Sequence, residues 1–246
     1  MHLLEGKDVT KYFGGLAAVS DVDFYVDKGE ILGLIGPNGA GKTTLFNLIS
    51  ASLVPKPGKI TFKGKNITGL KPYQVCRLGI ARTFQTVKIF GNLSVLDNVR
   101  LAAIFGPAKG TSPDEATKVA MDLLEFVELA KRDVNSPAKD LTLANQKRLE
   151  VARALAAKPE LLLLDELMAG LNQTEVSEAM DDVRQIRERG VTIVMIEHVM
   201  KAIMNVCDRI IVLNYGKKIA EGTPQEIVNS KTVIEVYLGE ETATGS

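Results

Sequence analysis

The sequence predicts an α/β fold: a parallel core that carries an antiparallel β subdomain and is interrupted by a helical insertion. Three observations carry that expectation. The runs Ile31–Ile35, Leu161–Leu164 and Val191–Ile196 are almost wholly apolar, as strands buried on both faces are. The first of them leads straight through the glycine-rich Gly36-Pro37-Asn38-Gly39-Ala40-Gly41-Lys42-Thr43 into the helix-forming segment Thr44–Ile49. Between about residues 87 and 140 the texture turns helical.

Taken in order, Leu4–Val9 and Ala18–Val26 alternate as strands do, and Asp27-Lys28-Gly29-Glu30 turns the chain into the first core strand. Pro55-Lys56-Pro57-Gly58 breaks the pattern, and Lys59–Lys65 is expected to be one short strand. Pro72–Leu78 has helical character and stops at Gly79, before the extended run Ile80–Gln85. In the insertion, Ser94–Phe105 and Pro113–Ala130 are expected to be helices separated by Gly106–Gly110. Asn145–Ala157 and the amphipathic Thr174–Arg189 are further helices, each delivering the chain to a buried strand. Ile210–Leu213 and Lys217–Ala220 are expected to pair as a hairpin about Asn214-Tyr215-Gly216. Short helices over Pro224–Asn229 and Thr232–Leu238 close the chain, leaving Glu241–Ser246 as a frayed tail. The organisation is one domain over 1–246, with 1–86 and 141–246 forming the core and β subdomain and 87–140 the helical subdomain.

Composition narrows the functional classes. Thirty basic residues balance thirty acidic ones in 246 residues, so no overall field attracts nucleic acid or an anionic membrane. Two cysteines are too few for a disulfide framework and suit a reducing compartment. No basic stretch followed by an apolar core opens the sequence, and no apolar run approaches the ~20 residues that span a bilayer. A cytoplasmic protein is expected, reaching a membrane only through another subunit.

Gly36–Thr43 fits G-x-x-x-x-G-K-S/T, flanked by the strand and helix that the pattern requires. Glycines let backbone N–H groups turn inward around a phosphate, and the following helix adds the positive end of its dipole. Lys42 would reach the β- and γ-phosphates of ATP, the Thr43 hydroxyl would meet Mg²⁺, and Thr44 follows in the first turn. The loop resembles that of a P-loop NTPase, which implies a RecA-like parallel core. Asp165 and Glu166 end the Leu161–Leu164 run, where such a fold places an aspartate for the Mg²⁺ shell and a glutamate that deprotonates the attacking water. His198 follows the next core strand, beside which it could donate to a γ-phosphate; Gln85 ends the extended run, where its amide could reach Mg²⁺ or water.

The phosphate loop, Gln85, the segment Leu141-Thr142-Leu143-Ala144-Asn145, Asp165-Glu166, Ala169-Gly170-Leu171-Asn172 and His198 stand in one order along nearly the whole chain. In that order they resemble the nucleotide-binding subunit of an ABC transporter. Lys11–Val19, Gly79–Gln85, Leu93–Val99 and Val236–Glu240 resemble the LivG-like branch, the importer ATPases for branched-chain amino acids. The resemblance implies ATP hydrolysis coupled to transport. It also implies a homo- or heterodimer with a second ATPase subunit, beneath two transmembrane permease subunits at the cytoplasmic face of the membrane and fed by a periplasmic or extracellular binding protein. Nucleic acid has no part in it. Phe13 is implied to stack on adenine, with Tyr12 the neighbouring aromatic; Gln85 joins Thr43 and Asp165 at the Mg²⁺; residues 141–145 face the partner's ATP; and the helical insertion meets the membrane subunits.

Two departures stand out. The family signature is roughly L-S-G-G-Q, and here Ala144 and Asn145 replace the second Gly and the Gln, with Leu143 in the first glycine's place. The position after the acidic pair is usually Pro and is Leu167 here. They leave open a second reading, a nucleotide-dependent switch that hydrolyses weakly. A DNA-maintenance ATPase would call for a long coiled-coil insertion, a Cys-rich zinc element or a basic excess, which the sequence lacks. A small-molecule kinase would leave the signature segment and His198 unexplained.

Overall fold

The computed structural model describes residues 2–106, 111–130 and 134–243. Two sheets organise it. Strands β1 (Leu4–Phe13), β2 (Leu16–Val26), β4 (Lys59–Phe62) and β5 (Lys65–Asn66) form an antiparallel sheet in the order β2-β1-β4-β5. Strands β3 (Ile31–Ile35), β6 (Ile80–Arg82), β7 (Leu161–Asp165), β8 (Thr192–Ile196), β9 (Arg209–Asn214) and β10 (Lys217–Gly222) form the second, in the order β10-β9-β3-β8-β7-β6. All its neighbours are parallel except the β9–β10 hairpin. The Lys59–Lys65 run is a hairpin rather than one strand, because Lys63 and Gly64 both take positive φ and fold it back.

Period-two alternation divides the core strands between two hydrophobic clusters. Leu32, Leu34, Leu161, Leu163, Val194 and Ile196 pack with the antiparallel sheet and helix α1 (Lys42–Ile49). Ile31, Ile35, Leu162, Leu164, Ile193 and Met195 face the opposite cluster. There they meet α3 (Val95–Phe105), α4 (Pro113–Phe126), α5 (Leu143–Ala156), α6 (Gln173–Glu188) and α7 (Met200–Val206). Covered on both faces, β3, β7 and β8 are buried along their whole length, which is why their sequences show no polar alternation.

Helix α2 (Pro72–Leu78) ends at Gly79 in the left-handed conformation, as its sequence predicts. Some boundaries differ from expectation. Helix α5 begins at Leu143, two residues early, because the Thr142 hydroxyl caps it by accepting from Asn145 N–H. Helix α4 stops at Phe126 rather than Ala130, where Glu128 takes φ +57°. Helix α7 carries no signal in the sequence, because its seven residues are too short for periodicity to reveal. Helix α8 (Pro224–Val228) precedes α9 (Lys231–Ala243), which continues past the expected Leu238. Residues 107–110 of the expected break and 244–246 of the expected tail lie outside the described residues.

Candidate active site

The switch from β3 into α1 fixes the loop between them. Gly36 takes φ +147°, and a Cβ there would come within 2.1 Å of the Leu213 carbonyl oxygen. Gly41 takes φ +102°, and a Cβ would come within 2.3 Å of the Ala18 carbonyl oxygen. Both positions need glycine for conformation and for space. Lys42 is buried, its ammonium donating to the carbonyls of Gly36 (2.6 Å) and Pro37 (2.8 Å) across the loop.

An open cleft of about 350 Å³ lies over this loop. Its walls are Phe13 and Ala18, the loop and helix residues 38–44, and Gln85, Glu166 and His198. The last three come from the ends of different strands, and they converge on one carboxylate. Gln85 Nε2 donates to Glu166 Oε2 at 2.9 Å, and His198 Nε2 lies 3.0 Å from Glu166 Oε1. An ionised Glu166 only accepts, which requires the His198 tautomer protonated at Nε2. Glu166 takes φ +52°, unusual for a side chain of its size, while its own N–H donates to the Ile196 carbonyl at 2.9 Å. Phe13 is half exposed at the rim, its ring beneath the Lys11 ammonium at 5.8 Å, and Tyr12 is equally exposed.

The remaining sequence-predicted residues lie elsewhere. Gly36 and Pro37 are buried at the start of the loop and do not line the cleft. Asp165 is also behind it: Oδ2 accepts from Arg82 Nη2 at 2.7 Å, and buried Oδ1 has no hydrogen-bond partner among the described residues. Leu141–Asn145 lie away from the cleft altogether, on a surface where Leu143 is half exposed beside Gly170.

Three residues beneath the site were not singled out from sequence. Arg82 stands immediately before the Thr83-Phe84-Gln85 run, at the end of edge strand β6, and pairing with Leu163 carries it beside Asp165. Lys147 shares the buried face of α5 with Val151 and Leu155, and a lysine at that helical spacing was the available signal. Glu197 is 2% exposed at the end of β8, where burial pushes its carboxyl up to about 7 against the lowering effect of the Met168 N–H and Lys147.

Among the described residues no group of three His, Cys, Asp or Glu is placed to hold a metal ion by itself. The orphaned Asp165 Oδ1 and the Thr43 hydroxyl instead fit a hard divalent cation that takes its other oxygen ligands from phosphate and water.

The family model described as ABC transporter matches residues 19–169, and a second, branched-chain amino acid ATP-binding cassette transporter, matches residues 217–243. The high-affinity branched-chain amino acid transport ATP-binding protein LivG of Salmonella typhimurium is 41% identical, across 93% of this chain and 94% of its own. BraF of Pseudomonas aeruginosa, described by the same function, is 39% identical across 97% and 98%. Among solved structures, the ADP conformation of MJ1267, an ATP-binding cassette of an ABC transporter, superposes with a TM-score of 0.88 at 30% identity, covering 97% of this chain and 99% of that one. A dimeric post-hydrolysis state of the cassette MJ0796, bound to ADP and Pi, gives 0.82 at 28% identity, covering 90% and 98%. The chain belongs to the ABC transporter family, as an ATP-binding subunit whose ATP hydrolysis is coupled to transport.

Proposed function

We propose that this subunit powers an importer of branched-chain or related amino acids, with Glu166 as the base that activates water. The observation that carries the catalytic assignment is the convergence of Gln85 and His198 on the two oxygens of Glu166, inside the cleft that the phosphate loop floors. The loop amides and Lys42 bind the phosphates, and Phe13 stacks on adenine at the rim. Thr43, Asp165 and Gln85 would hold Mg²⁺, whose charge would offset that of the phosphate oxygens. Glu166 accepts the water's proton; His198 and Gln85 keep its carboxylate aimed into the cleft.

The cleft is open, and the signature segment of the same chain lies outside it. A second ATPase subunit would therefore supply residues 141–145 over the nucleotide; the dimeric state of MJ0796 supports such a pairing. The helical subdomain offers a place for the permease. A groove of about 360 Å³ runs from Val75 and Phe84 to Ala102 and Phe105, with Lys88 and Arg153 at its side. A helix of a membrane subunit seated there would lie one residue from Gln85. Among the described residues no helix is long and apolar enough to cross a membrane, so such contacts would hold the chain at the cytoplasmic face. The LivG and BraF names and the 217–243 match support the amino-acid class of solute.

Glu166→Gln tests the assignment. It should lower turnover by about 10²–10⁴ and leave an ATP-bound dimer on gel filtration. A variant that hydrolyses normally, or that stays monomeric under every nucleotide condition, would refute it.

A further inference from the structure

The turn after β7 is held from two sides by groups that the chemistry itself does not use. Lys147 is 5% exposed, and its ammonium donates to the carbonyls of Glu166 (3.0 Å), Leu167 (2.9 Å) and Ala169 (2.6 Å). An ammonium has three N–H donors, and each has an acceptor here. From the other side, Glu197 Oε1 accepts from the Met168 N–H at 2.8 Å. Carbonyls of the turn thus go to a buried cation, and the N–H between them goes to a buried carboxylate.

Glu166 opens this turn with its left-handed φ, a conformation that persists in a non-glycine residue only where the surroundings hold it. Leu167 lacks the ring by which a proline would restrain the next φ covalently. The restraint is non-covalent instead: Lys147 supplies it from α5, whose first turn Thr142 caps, and Glu197 supplies it from the end of β8. We infer that Lys147 and Glu197 are positioning residues for hydrolysis, fixing the backbone from which Glu166 projects and tying it to the helix that begins in the signature segment. The inference rests on Glu166 being the base. It makes the aim of the carboxylate depend on where α5 stands, so contact at residues 141–145 is felt at Glu166 in the same chain.

Lys147→Met and Glu197→Met, made in the full chain, keep an unbranched side chain of similar length and remove the grip from one side each. Each should lower kcat by about ten- to hundredfold, the effect of misplacing a catalytic group by ~1 Å. ATP affinity, read with a fluorescent analogue, should stay within about twofold, because the phosphate loop is untouched. In the Glu166→Gln background, K147M should add no further loss. A folded K147M with full kcat, or one whose affinity falls with its kcat, overturns the inference. Should K147M fail to fold, E197M decides by the same two readings. If E166Q itself turns over normally, the base assignment fails and takes this inference with it. An inactive E166Q beside an unimpaired K147M removes the inference alone.

Discussion

Arg82 ties Asp165 to the phosphate-loop helix. Its Nη2 donates to Asp165 Oδ2 at 2.7 Å, while Nη1 donates to Asn47 Oδ1 on α1 at 2.6 Å and to Ser50 Oγ just beyond it at 3.2 Å. The two charged side chains are 8% and 1% exposed, so water screens neither. Removing one partner of such a pair strands the other as an uncompensated buried charge. Arg82→Ala should therefore destabilise the chain by about 3–5 kcal/mol in urea unfolding. Adding Asp165→Asn should recover part of that loss, since a neutral amide needs no counter-ion. An unchanged unfolding midpoint in R82A would contradict the pairing.

Glu197 makes stability depend on pH in a defined direction. Burial raises its folded-state value to about 7 from an ordinary 4.5, so the folded chain binds this proton more tightly than the unfolded chain does. The associated stability is fully present below pH 4.5 and is lost as pH rises through about 7. A shift of that size corresponds to about 3 kcal/mol. Glu197→Gln cannot titrate, and its unfolding free energy should fall less than the unmodified chain's by roughly that amount across the window. Parallel curves for the two proteins would show that Glu197 does not titrate there.

The signature segment separates the importer ATPase from the weakly hydrolysing switch. Ala144 puts a methyl group where the family carries glycine, and Leu143 adds a half-exposed side chain beside Gly170. Leu143→Gly with Ala144→Gly should raise steady-state ATPase several-fold. It should also cost about 1 kcal/mol of helix stability per glycine in the first turn of α5. A negligible rate that glycine does not change would favour the switch.

The phosphate loop, the buried strands and most helices were legible because their signals are local. Gly36–Thr43 is contiguous, β3, β7 and β8 announce themselves by unbroken apolar runs, and Gly79 ends α2 by its own conformational freedom. By resemblance, the order of motifs also pointed to Gln85, Glu166 and His198. What the sequence could not determine was which groups hold those residues in place. Arg82 reaches Asp165 across 83 positions because β6 pairs in parallel with β7; Glu197 reaches Met168 across 29 because β7 and β8 end side by side. Lys147 meets its three carbonyls only once α5 has packed beneath the turn. Periodicity reports which face of an element is buried, and a buried lysine or glutamate violates that pattern without naming its partner. Sheet register and helix packing supply the partner, so those assignments belong to the tertiary structure alone.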